Sequence, residues 1–184
     1  MRPDKLEKML ESVHRSTNSF GYEILIRLHQ DDDESCTTKF DLRHGKIFVE
    51  PPMEYKDLYL MYGFLASKAR GEWLWILNDD NEIEADLGCD WVDQLARTPQ
   101  EGFMVQPEYT WCNQSRYERQ VGGPFPCVPR DCWKKFIGHN LPSPVDGGLY
   151  RLLCEEHGWK TRFLDGVNMR HWRDADEINA RDNK

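Results

Sequence analysis

Apolar residues along the first half of this chain switch between two periods. Leu6, Met9, Leu10 and Val13 fall at i, i+3, i+4 and i+7, one face of a helix. The spacing predicts a helix over residues 3–13. Pro3 suits its first position, and Asp4 sits in the first turn, where the backbone dipole favours an acid. After a polar connection at 16–21, the run YEILIRL at 22–28 reads as a strand. Residues 46–49 read as a second, short strand, stopped by Pro51 and Pro52. Leu58, Met61, Tyr62 and Leu65 then make the inward stripe of a helix over 57–69, with Gly71 as its stop. The run WLWIL at 73–77 follows directly and, bounded by turn signals, reads as a core strand covered on both faces. Strand, helix and strand with short joins predict parallel pairing and right-handed crossovers.

The second half is less regular. Residues 90–96 read as a short helix and 103–105 as a strand. Residues 107–120 are polar and aromatic, which favours a surface loop over an aromatic wall that stacks on a sugar ring. Residues 122–126, GGPFP, form a bend, and 130–136 a short helix stopped at Gly138. Ser143 and Pro144 suit the N-cap and first turn of a helix running to about His157, with Leu149, Leu152 and Leu153 inward. Residues 160–164 are a last strand, followed by Met169-Arg170-His171-Trp172 and a charged tail from Asp174.

Composition narrows the classes. A chain of 184 residues, 39% hydrophobic and 12% aromatic, has the material for one real core and argues against wholesale disorder. Its 24 basic against 32 acidic residues, net −8, argue against a broad duplex-DNA footprint but not against a nucleotide held through a metal. The six cysteines form no C-x-x-C pair and no zinc-ribbon cluster, so they read as reduced thiols. No apolar run approaches the roughly 20 residues of a membrane span, and MRPDKLEKML has no signal-peptide core. The expectation is a soluble, cytoplasmic protein of one domain over 1–184.

Two acidic clusters carry candidate chemistry. Asn78-Asp79-Asp80-Asn81 ends the strand at 73–77, where open α/β sheets place their ligands. Two carboxylates and two amide oxygens there suit a hard divalent cation such as Mg²⁺ or Mn²⁺, and equally suit a local turn. Asp31, Asp32 and Asp33 follow the strand at 22–28. They read either as a solvated charge run or as acceptors for a nucleobase or ribose. Asp146 lies in the first turn of its predicted helix, where an acid needs no further role. On the residues alone, His171 beside Trp172 reads as a packed structural histidine.

The order of these features resembles the nucleotide-sugar glycosyltransferases of the GT-A fold, most like the large family 2 group. Four places carry the likeness: RPDKLEKMLES at 2–12, residues 22–35 with their acidic tip, KARGEWLWILNDDNE at 68–82, and residues 122–171. The third is the most specific. The resemblance implies a Rossmann-like α/β domain with a mixed, mostly parallel sheet flanked by helices. Residues 1–100 would be the nucleotide-sugar and metal half, 101–173 the acceptor half, and 174–184 a tail. The family's first strand would precede Arg2 and is not seen here; an edge exposed in its place would be open to a homo-oligomer partner. Asn78 stands where the family's motif often has its first Asp, and Val145 occupies the first position of a later acidic pair. By the resemblance, Asp80 binds Mn²⁺ or Mg²⁺, and Asp79 with Asn78 serves the ribose or the metal's water shell. One of Asp31, Asp32 and Asp33 faces the nucleobase. His171 reaches the diphosphate or the metal, and Asp146 is the general base. The implied reaction is inverting transfer of a sugar from a nucleoside diphosphate sugar to an acceptor hydroxyl. The alternatives are a non-catalytic nucleotide- or glycan-binding relative and a sugar nucleotidyltransferase.

Overall fold

The computed structural model describes residues 3–54, 58–111, 119, 121, 126–137 and 145–172. Helix α1 (Pro3–Arg15) forms where the periodicity places it, and Leu6, Met9, Leu10 and Val13 are all buried. Strand β1 (Ile24–His29) follows, then a single helical turn, α2 (Asp33–Thr37), then β2 (Gly45–Glu50). β1 and β2 pair in parallel, from Ile24 opposite Gly45 to His29 opposite Glu50, as the alternation predicts. Helix α3 (Leu58–Lys68) leads to β3 (Trp73–Trp75). Gly71 is not in the left-handed region as a helix stop would require. Instead the Glu23 carboxylate accepts hydrogen bonds from the Arg70 and Gly71 N–H groups just beyond the helix.

The rest of the chain builds a second sheet. Its strands are β3, β4 (Asn81–Ala85), β5 (Phe103–Trp111), β6 (Cys127–Pro129) and β7 (Lys160–His171). Helix α4 (Trp91–Ala96) lies between β4 and β5; the turn α5 (Arg130–Cys132) continues into a π-helical stretch, Trp133–Ile137. Helix α6 (Val145–Tyr150) continues likewise into Arg151–Glu156. The spatial order is β3-β6-β5-β7-β4, and of its pairings only β5 with β7 is parallel. The mixed α/β class therefore holds, and among the described residues the ladders are both parallel (β1 with β2, β5 with β7) and antiparallel (β3 with β6, β5 with β6, β4 with β7). The strand predicted at 73–77 forms over Trp73–Trp75 and pairs antiparallel with β6, a strand the sequence pattern did not reveal, and not with β1.

Other expectations change for local reasons. The strand predicted at 103–105 runs on to Trp111, so 107–111 belong to β5 rather than to a surface loop. Pro107 cannot donate to a ladder, and the register with β7 shifts at that point, between Gln106 and Glu108. The last strand extends from 164 to His171, bending at Gly166, whose φ of 63° suits glycine. Residues 112–118, 122–125, 138–144 and 173–184 lie outside the described residues. With them go most of the polar-aromatic segment, the GGPFP bend, the Ser143-Pro144 cap and the tail.

Successive residues of the sheet face opposite cores. Val105 and Cys127 point into a cluster with α1, β1, α4 and β7, while their neighbours Met104 and Val128 point into another with Trp133, Leu149 and Leu153. Helices therefore cover both faces of the sheet, which accounts for unbroken apolar runs such as 73–77. The two polar tips, after β1 and after β3, emerge from different sheets.

Candidate functional site

The turn between β3 and β4 is built by its own amides. The Asn81 side-chain oxygen accepts from the Asn78 N–H at 2.7 Å, and the Asn81 N–H bonds the Asn78 carbonyl at 3.3 Å. Tyr62 of α3 donates its hydroxyl to Asn78 Oδ1 at 2.8 Å. Asn81 is 2% exposed, so its amide is a structural part of the turn. The turn reading thus accounts for Asn78 and Asn81.

It reaches the Asp80 side chain through one long bond, from Asn81 Nδ2–H to Asp80 Oδ1 at 3.4 Å, and leaves Oδ2 to a partner from elsewhere. Strand β4 pairs antiparallel with β7 so that Asn81 stands opposite His171. That register brings the end of β7 back to the turn. Asp80 Oδ2 lies 3.0 Å from His171 Nε2, and the two side chains are only 12% and 13% exposed. The Trp172 N–H donates to the Asp80 carbonyl at 2.8 Å, which closes the corner. Trp172 also donates Nε1–H to Glu82 at 2.9 Å, and Arg15 pairs with the other Glu82 oxygen at 3.1 Å. Arg170 stands opposite Glu82 in the same ladder and reaches diagonally to Glu84 at 3.1 Å. Asp79 is partly exposed beside this corner.

The other candidates lie elsewhere. Asp31 is exposed at the end of β1. Asp32 caps α2, accepting from the Ser35 N–H at 3.0 Å, and Asp33 is the first residue of that turn. The predicted acidic loop is thus partly helical, and Asp32 has a capping role. Asp146 lies in the first turn of α6, as expected; its side chain is outside the described residues. From sequence, Glu82 was not singled out, Tyr62 was read only as part of a helix stripe, Trp172 only as the neighbour of His171, and Asn81 as a possible cation ligand or turn residue. The alternation of Asn81, Ile83 and Ala85 with Glu82 and Glu84 was the available sign of β4.

Among the described residues, no group of three or more His, Cys, Asp and Glu side chains is arranged to hold a metal ion. Asp80 and His171 form a two-residue set, one carboxylate oxygen and one imidazole nitrogen in direct contact at 3.0 Å. That set fits a divalent ion bound through few protein ligands and completed by substrate phosphates and water. A metal there would replace the direct contact between the two side chains. The described cysteines, Cys36, Cys89, Cys127, Cys132 and Cys154, are free thiols; burial pushes Cys132 up to about 12, so it is no ready ligand.

Fold and site together define a mixed α/β domain with a carboxylate–imidazole corner at the junction of a tight turn and a long strand. Compared with known proteins, the chain matches no family model and no curated relative.

Proposed function

We propose that this chain is a metal-dependent glycosyltransferase of the GT-A kind, moving a sugar from a nucleoside diphosphate sugar to a hydroxyl acceptor. The meeting of Asp80 and His171 carries the proposal, because a carboxylate and an imidazole from distant segments share one corner at the end of two strands. Asp80 and His171 would hold Mn²⁺ or Mg²⁺, with Asp79 and Asn78 toward the ribose and one of Asp31, Asp32 and Asp33 toward the base. When bound, the ion would offset the negative charge that gathers on the departing diphosphate. Asp146 would take the proton from the acceptor hydroxyl as its oxygen attacks the anomeric carbon and the bond to the diphosphate breaks. Attack opposite the leaving group inverts that carbon. General-base help of this type is worth about 10²–10⁴-fold in rate. No described helix is long and apolar enough to cross a membrane.

Calorimetry with a panel of nucleoside diphosphate sugars, with Mn²⁺ and again with EDTA, tests the reading. The expected result is donor binding that chelation abolishes and added Mn²⁺ restores. Binding indifferent to EDTA would overturn the metal assignment. Donor binding with neither hydrolysis nor transfer would identify a nucleotide-binding module instead.

A further inference from the structure

Strand β2 has an outer edge. β1 lies along one side of it, and among the described residues no strand lies along the other. The Ile24 N–H bonds the His44 carbonyl and the Gln30 N–H bonds the Glu50 carbonyl, each at 2.9 Å, so the even-numbered residues of β2 turn their backbone groups toward β1. Strand alternation then turns the N–H and C=O groups of Gly45, Ile47 and Val49 outward. Val49 also leaves a large apolar side chain 53% exposed. Pro51 has no N–H, so a ladder built on this edge stops after Val49.

Which strand such an edge accepts is set by the side chains that pairing lines up. Two copies of β2, antiparallel about a two-fold axis at Phe48, bring Lys46 opposite Glu50 of the second copy and Glu50 opposite its Lys46. Ile47 then meets Val49 of the second copy, and each such pair exchanges both of its outward backbone bonds. The charge pairs and the Phe48 pair are the intervening non-hydrogen-bonded positions, where opposed side chains come closest. Moving the axis to Ile47 sets Lys46 opposite Phe48, and moving it to Val49 sets Glu50 opposite Phe48. Only the axis at Phe48 matches charge with charge. Among the described residues neither charge has an ion-pair partner: Lys46 is exposed, with its ammonium 4.9 Å from the centre of the Phe48 ring, and Glu50 is half-buried. A lysine on an edge strand ordinarily discourages strand addition. Here a second copy supplies its counter-charge.

We propose that β2 is a self-pairing edge, through which two copies of this chain join antiparallel at Phe48 and merge their two-stranded sheets into one. The two-fold axis closes the contact, so the pairing ends at a dimer. Nothing in this inference depends on glycosyl transfer.

The test uses the 184-residue chain, without nucleotide or metal, in sedimentation velocity over a range of concentrations. The expected result is a reversible monomer–dimer equilibrium. Amide exchange should slow in the dimer at Ile47 and Val49 and stay unchanged at Phe48, whose N–H already bonds β1. Lys46→Glu and Glu50→Lys each set like charges opposite one another and should weaken the dimer by at least about tenfold. The double variant Lys46→Glu/Glu50→Lys exchanges the charges and should restore affinity to within about threefold of wild type. Val49→Pro removes an outward N–H, spares the bonds to β1, and should give a monomer with native circular dichroism. A wild-type chain still monomeric at about 1 mM overturns the proposal. A dimer that withstands both single charge variants, or a double variant that stays weak, overturns the register and with it the proposal. Protection of Ile47 and Val49 in the monomer would place another part of this chain on the edge and overturn it too.

Discussion

His171 and Asp80, distant in sequence, stand 3.0 Å apart because β4 and β7 pair with Asn81 opposite His171. The histidine's position is a consequence of ladder register. A one-residue slip of β7 would turn it to the other face of the sheet.

If the pair holds a metal, Asp80→Asn and His171→Gln should each weaken Mn²⁺-dependent donor binding by at least about tenfold, the cost of one good charged contact. Circular dichroism should stay native, since the Trp172 N–H still bonds the Asp80 backbone. Calorimetry reads the result, and wild-type affinity in His171→Gln would remove that residue from the metal set.

Asp146→Asn should bind donor as the wild type does and lose transfer by about 10²-fold or more. Radiolabelled-sugar transfer measures the second quantity. Full transfer by the variant would take the base role away from Asp146.

Ser12 links α1 to β4 from within the core. It is 1% exposed, donates to the Met9 carbonyl at 2.7 Å and accepts from the Ile83 N–H at 2.9 Å. Ser12→Ala leaves that buried N–H unpaired, so thermal or urea unfolding should show a loss of about 1–3 kcal/mol.

Glu23 ties the start of β1 to the start of β3. Burial opposes its ionisation, but hydrogen bonds from the Arg70 and Gly71 N–H groups and the Arg70 guanidinium outweigh it, and its carboxyl titrates below the ordinary glutamate range. A folded value below the unfolded one adds stability above the unfolded pKa of about 4.3 and loses it as pH falls through the folded value. Glu23→Gln should therefore lower Tm at neutral pH, with a gap from wild type that narrows below about pH 4. A gap that widens toward acid would contradict this linkage.

Glycine is required at 166 for two reasons. Its φ is 63°, and an added Cβ would come within 2.6 Å of Cys89 Sγ and 3.0 Å of Asp86 Oδ2. At Gly102, with φ of 77°, an added Cβ meets nothing within 4 Å. Both alanine variants should bear the left-handed penalty of roughly 1–2 kcal/mol. Gly166→Ala should unfold at the lower denaturant concentration, because the collision adds to that penalty.

Local pattern made much of the fold legible. The i, i+3, i+4 stripe of α1, the alternation of β1 and β2, and the Asp90 side chain that caps α4 through the Val92 and Asp93 N–H groups all follow from neighbours within one turn or one strand. β6 was missed because Cys127-Val128-Pro129 is too short and too buried to show a period. β4 was missed because its acidic alternation reads as a continuation of the polar turn. In the site, Asp80 was identified from its place after an apolar run, whereas Trp172 and Tyr62 gave no local sign of their bonds to that corner.

By itself the sequence determined where α1, α3, β1 and β2 form, that helices cover the strands on both faces, and that acids gather where strands end. Each of these depends on hydrophobic period and turn chemistry over a few residues. The tertiary structure alone decided that β3 pairs with β6 rather than β1, that the strands form two sheets with a cavity between them, and that Asp80 meets His171. Those outcomes depend on the register of segments far apart in the chain, which no local spacing specifies.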